Sequence, residues 1–110
     1  PKQSKDCFSA RHLYVIQVKS SSGISRKNAF NALRTVGVGV DVHYIPIHLQ
    51  PFYQKIGFKD GDFPIAEAYY MRAISLPLFS SMTDEVQNQI IKHLWDIFSP
   101  LGEHFYGNLQ

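Results

Sequence analysis

Prolines and glycines interrupt this chain so often that no regular element can run far before its last quarter. Pro46, Pro51, Pro64 and Pro77, with Gly23, Gly37 and Gly57, cut its middle into short pieces. Proline lacks a backbone donor and biases the residue before it away from the α region, so each piece takes up its own period. The run "RHLYVIQV", Arg11 to Val18, is β-branched and aromatic and predicts a strand. Leu13, Val15 and Gln17 face one way, and Tyr14, Ile16 and Val18 the other. That imperfect alternation predicts a strand covered on both faces, or a central one, in preference to an edge.

"SSSG", Ser20 to Gly23, reads as the following turn, and Ser25 as the N-cap of a helix through about Val36. Ala29, Phe30, Leu33 and Val36 recur at helical spacing, and Gly37 stands where a left-handed C-cap belongs. Val38 to Tyr44 is the second predicted strand. Pro51 opens a short helix, "PFYQKIG", stopped by Gly57. "FKDGD" is a turn, and "FPIAEAYYMRA" a helix with Pro64 in its first turn. "ISLPLF", Ile74 to Phe79, reads as a short strand broken at Pro77. The last helix starts at an N-cap on Thr83, with Asp84 and Glu85 at its positive end. Val86, Ile90, Ile91, Leu94, Ile97 and Phe98 line one broad face, and Pro100 and Gly102 close it. This order predicts a small α+β domain: a three-stranded, mostly antiparallel sheet with helices on one face.

At 110 residues the chain is one domain's worth, able to bury roughly 60–70% of its unfolded surface. Its net charge of +2 is small, and the Lys and Arg residues are scattered, which argues against nucleic acid or an anionic membrane as partner. No apolar run approaches a membrane span, and no signal-peptide pattern is present. The single cysteine, Cys7, precludes a disulfide within the chain and suits a reducing, cytoplasmic setting. The polar opening "PKQSKD" reads as a linker cut in its middle. Residues 1–8 are therefore expected to be a linker remnant, and 9–110 a domain of a longer protein.

The residues alone carry no stand-alone chemistry. His43 and His48 flank Pro46, and their odd spacing puts them on opposite sides of an extended chain. His12, His93 and His104 lack ligand spacing, and no cysteine pair supports a metal site. A lone histidine at a strand end is more often a satisfied, partly exposed imidazole than a ligand. No G-x-S-x-G elbow occurs. Gly37 and Gly39 precede a strand instead of following one, so they are not a dinucleotide fingerprint. Asp60, Asp62 and Glu67 form no calcium loop. Tyr69 and Tyr70 read as core on one side and surface on the other.

The stretch "GVGVDVHYIPIHLQPFYQKIGFKDGDFPIAEAYYMRAISLPLF", Gly37 to Phe79, followed by "MTDEVQNQII", resembles the C-terminal domain of PLP-dependent sugar aminotransferases of the DegT/StrS group. These enzymes have the aspartate-aminotransferase fold (fold type I). The branch it most resembles is that of UDP-4-amino-4,6-dideoxy-N-acetyl-β-L-altrosamine transaminases, relatives of which are named for spore coat polysaccharide biosynthesis. The upstream strand and helix fit the same domain, so the likeness spans nearly the whole chain. It rests on the combination of "HYxPxHLQPxY", "FPxAE" and "SLPLF".

The resemblance implies that PLP, carried by a lysine of a large domain, accepts an amino group, typically from glutamate. The group then passes to a 4-keto nucleotide sugar. Such enzymes are homodimers with shared active sites. None of the chain's seven lysines (2, 5, 19, 27, 55, 59 and 92) stands in the family's lysine-bearing loop, so the chain alone is expected to be inactive. His43 and Tyr44 match the His-aromatic pair that ends a small-domain strand at the cleft and contacts the nucleotide sugar. His48 falls in the following loop, at the rim or against the large domain, and completes the expected substrate-binding set. Pro46 and Pro51 would stiffen that loop. The alternative is a stand-alone module of the same fold that binds a nucleotide sugar or a protein partner without catalysis.

Overall fold

A computed structural model describes residues 4–99. The expected helix closure at Pro100 and Gly102, and His104, lie outside these residues. The elements run β1 (Tyr14–Gln17), α1 (Arg26–Thr35), β2 (Asp41–Val42), α2 (Pro51–Lys55), α3 (Pro64–Tyr70), β3 (Ala73–Leu76) and α4 (Asp84–Phe98). Single 3-10 turns occur at Ser20–Ser22 and Ile47–Leu49.

The sheet has the order β1-β3-β2, and both pairings are antiparallel. β1 is thus an edge strand, contrary to the expectation from its alternation, and the centre belongs to β3, all four of whose residues are buried. Both outer strands are shorter than predicted. Tyr14 pairs with Leu76, so one step further β1 would face Pro77, which has no N–H to donate, and the ladder cannot extend that way. β2 pairs only through Asp41 with Ser75 and Val42 with Ile74. Arg11 also has a φ of +48°, outside any strand. At the other end Val18 N–H still donates to Arg72 O (2.9 Å) before the chain turns away.

Helix ends follow the caps that the side chains allow. Ser25 Oγ accepts from Asn28 N–H (3.2 Å) at the start of α1, and Gly37 takes the left-handed conformation after it, at φ +84°. Thr83 Oγ1 accepts from Val86 N–H (3.4 Å) to open α4. The Glu85 carboxyl sits below its ordinary pKa, held there first by the Thr83 hydroxyl and then by a backbone N–H.

Ile74 and Leu76 point to the sheet face covered by α1 and α4. There they meet Ala29, Leu33, Val38 and Val40, with Ile16, Ile90, Leu94, Ile97 and Phe98 packed around them. Ile91 and Val86, expected on the inner face of α4, lie outside this core and are partly exposed. On the helical wheel they fall at the two edges of the inward stripe formed by Ile90, Leu94, Ile97 and Phe98. Ser75 and Ala73 point to the other face, away from α1 and α4, and that face carries the site.

Candidate functional site

In the β2–β3 ladder Val42 opposes Ile74 and Asp41 opposes Ser75. His43, the next residue, falls on the same face as Asp41 and Ser75 by the two-residue period of a strand. Its Nδ1 lies 3.1 Å from Ser75 Oγ. The imidazole packs against Tyr44, with centroids 4.3 Å apart and planes tilted by 35°. Tyr69, reaching over from α3, presents its ring edge-on at 6.2 Å.

These three rings and the start of α3 frame a groove of about 700 Å³. Pro46, Phe63, Pro64, Ile65 and Ala66 form its apolar wall, and Asp62 stands at its rim. A mainly apolar concavity of this size, with a few polar groups at fixed positions, is the usual form of a small-molecule site. The polar set is one imidazole, two phenols and one carboxylate. The imidazole and phenols can donate to oxygen, and their rings offer stacking faces. Tyr44 is 63% exposed and Ile65 87%, so the groove is open along one side. A second cavity of about 320 Å³ lies at the opposite end of the sheet, between Val36–Gly39, Phe79 and the first turns of α4.

His48 is placed differently from His43. The chain leaves the strand after Val42, so the extended-strand parity does not govern the two histidines. The 3-10 turn Ile47–Leu49 buries His48 to 7% exposure, and it does not line the groove. Its Nε2–H donates to Glu67 Oε1 (2.7 Å), and its ring stacks at a tilt on Phe63, 4.7 Å between centroids. Glu67 Oε1 also accepts from the N–H groups of Gly61 (3.0 Å) and Phe63 (3.2 Å). One carboxylate thereby ties the loop before α3 to the loop after β2. Burial pushes the Glu67 carboxyl up, but the His48 hydrogen bond and the two backbone N–H groups outweigh it and hold its pKa below the ordinary value.

Neither Glu67 nor Ser75 stands out in the sequence as a ligand or nucleophile: Glu67 completes no calcium loop with Asp60 and Asp62, and Ser75 is one serine among many. The clue to Glu67 was its position four residues after Phe63, within reach of the orphan N–H groups that open a helix. The expected division of the tyrosine pair also fails. Tyr69 lines the groove, Tyr70 lies under the Arg26 guanidinium at 5.4 Å, and neither is buried.

Among the described residues no group of three or more His, Cys, Asp or Glu could hold a metal ion, and no helix is long and apolar enough to cross a membrane. Neither of the two cavities described is lined by a lysine, the side chain that would take the aldehyde of PLP.

A three-stranded antiparallel sheet, with helices on one face and an aromatic groove on the other, is an α+β fold that solved sugar aminotransferases of PLP fold type I share. Residues 1–95 match the DegT/DnrJ/EryC1/StrS aminotransferase family, and the chain belongs to it. It is 44% identical over 91 residues to the spore coat polysaccharide biosynthesis protein SpsC of Bacillus subtilis, covering 80% of this chain and 23% of SpsC. Among solved structures it resembles Spr1654 of Streptococcus pneumoniae, assigned as a sugar aminotransferase and solved in a PMP form. The TM-score is 0.73 at 33% identity, over 81% of this chain and 22% of that one. A DegT/DnrJ/EryC1/StrS aminotransferase from Brucella abortus shares the fold, with a TM-score of 0.64 at 23% identity over 79% of this chain and 22% of its own. The chain thus spans about a quarter of the length of such relatives.

Proposed function

We propose that residues 9–110 are the small C-terminal domain of a PLP-dependent aminotransferase, with residues 1–8 the remnant of the linker to its large domain. The intact enzyme transfers an amino group, from glutamate, to a 4-keto nucleotide sugar for surface polysaccharide or nonulosonic-acid synthesis. The large domain holds PLP, which supplies the electron sink, and two copies of the enzyme pair as a homodimer. The contribution of this chain is the groove. His43 donates to an oxygen of the nucleotide sugar, while Tyr44 offers a stacking face and a hydroxyl. His48, expected among the substrate contacts, acts instead through the loop that it pins to Glu67.

The observation carrying this reading is the pairing of His43 and Tyr44 at a strand end over an open, mainly apolar groove, in a chain that belongs to a sugar aminotransferase family. The 110-residue chain, lacking the large domain, is expected to show no transamination. The test is the full-length protein, purified and assayed with glutamate and a 4-keto nucleotide sugar. Cofactor absorbance that bleaches with glutamate and returns with the keto sugar supports the reading. Full-length protein that neither absorbs in the near-visible nor turns over, when supplied with PLP, overturns it. His43→Ala is expected to raise KM for the nucleotide sugar about tenfold or more while leaving bleaching by glutamate intact, the loss of one well-made hydrogen bond to a polar ligand.

A further inference from the structure

We infer that Ser75 is a positioning residue. Its hydroxyl holds the neutral His43 ring as the Nε2–H tautomer, so that the imidazole offers the groove a donor for an oxygen acceptor. The argument starts from satisfaction of buried polar groups. Ser75 is 7% exposed at the centre of β3, between β1 and β2. A buried O–H that donates to nothing is costly. Among the described residues the one side-chain partner of Ser75 Oγ is His43 Nδ1, at 3.1 Å. The hydroxyl proton therefore goes to Nδ1, which must carry a lone pair, and the ring proton sits on Nε2.

Nε2 lies across the ring from Nδ1 and has no protein partner among the described residues, while His43 lines the groove. The second orienting element is the Tyr44 ring at 4.3 Å, which limits rotation of the imidazole about its Ser75 bond. The outcome is a ring with one nitrogen spent on the sheet and the other free to donate. A group recognised there must present an oxygen lone pair: a phosphate oxygen, a sugar hydroxyl or a carbonyl. That this acceptor belongs to a nucleotide sugar rests on the function proposed above; the tautomer does not.

The experiment uses the full-length protein labelled with 15N in its histidine rings, the His43 signals being assigned by their loss in His43→Gln. Wild-type protein is expected to show Nδ1 in the unprotonated range and Nε2 in the protonated range, at the limiting positions of a single tautomer. In Ser75→Ala both signals move toward the average of two exchanging tautomers, and in Ser75→Thr, which keeps the hydroxyl, they return. A protonated Nδ1 in the wild type, or signals unmoved in Ser75→Ala, overturns the positioning role.

Kinetics then separate the two claims. KM for the nucleotide sugar is expected to rise about two- to tenfold in Ser75→Ala and to recover in Ser75→Thr, with kcat little changed. His43→Gln, whose amide can place an N–H near the Nε2 position, is expected to retain more affinity than His43→Asn. If the tautomer shifts in Ser75→Ala but KM stays at the wild-type value, the positioning role stands and the nucleotide-sugar reading of the groove is overturned.

Discussion

A carboxylate that accepts from an imidazole and two backbone N–H groups must be ionised to keep all three bonds. Glu67 is in that position, with His48, Gly61 and Phe63 as its donors. Its pKa lies below the ordinary value of 4.5 in the fold, so the unfolded chain takes up this proton first as the pH falls. The stability that Glu67 contributes is therefore fully present above the unfolded value and is lost as pH drops through the lower folded one. Urea midpoints of the 110-residue chain, measured from neutral pH down to the acid limb, are expected to fall less steeply in Glu67→Gln than in the wild type. Parallel curves would show that the carboxylate is not linked to folding. His48→Ala is expected to cost about 1–3 kcal/mol, because it leaves a carboxylate oxygen short of its best donor and a gap against Phe63. The same variant should loosen the Asp62–Ala66 wall of the groove, seen as faster amide exchange at Gly61 and Phe63.

Elements are where the sequence was most legible, and strand length is where it was least. α1 could be read end to end, and α4 from its start, because their caps are side-chain chemistry: Ser25 and Thr83 at their starts, Gly37 after the first. Strand length is not written in the strand itself. Val38 to Tyr44 has the composition of seven strand residues, but only Asp41–Val42 pair. Val38 and Val40 still serve the core, buried without a ladder. The same gap explains the site. His43 and Tyr44 were accessible through their resemblance to a family motif, whereas Ser75 and Glu67 become meaningful only when residues 32 and 19 positions away fold onto them. Two substitutions probe this scale. Gly37→Ala is expected to cost about 1 kcal/mol from backbone strain alone, since φ is +84° and an added Cβ would meet nothing within 4 Å. Leu33→Ala, at a fully buried position between α1 and the sheet, should cost about 2–5 kcal/mol through the cavity it leaves. Denaturant titration of the two variants ranks them, and a Gly37→Ala cost matching that of Leu33→Ala would contradict the strain argument.

For the whole molecule, the distribution of apolar side chains is the deciding fact. Ile47 (69% exposed), Phe52 (67%), Ile56 (60%) and Ile65 (87%) stand in water on the segment between β2 and β3, beside the exposed Tyr44. Scattered exposed leucines and isoleucines are ordinary, but four large ones within nineteen residues of one segment, one of them (Ile65) lining the groove, are the pattern of a surface made to be covered. α4 adds Trp95, 68% exposed on its outer side. SpsC, of which the matched residues cover 23%, has further chain that could supply such a cover, and the proposed function gives this chain the same source. The isolated chain is therefore expected to self-associate through this surface, with a sedimentation-average mass that rises with concentration. The double variant Ile47→Ser, Ile65→Ser should lower that association, and because both side chains are already exposed it should leave the urea midpoint within about 0.5 kcal/mol of the wild type. A chain that stays strictly monomeric at every concentration would show that the surface does not need covering. That result would remove the main physical reason for regarding this domain as one part of a larger enzyme. Association that persists in the double variant would move the contact elsewhere, with the outer side of α4 the next surface to substitute through Trp95→Ser.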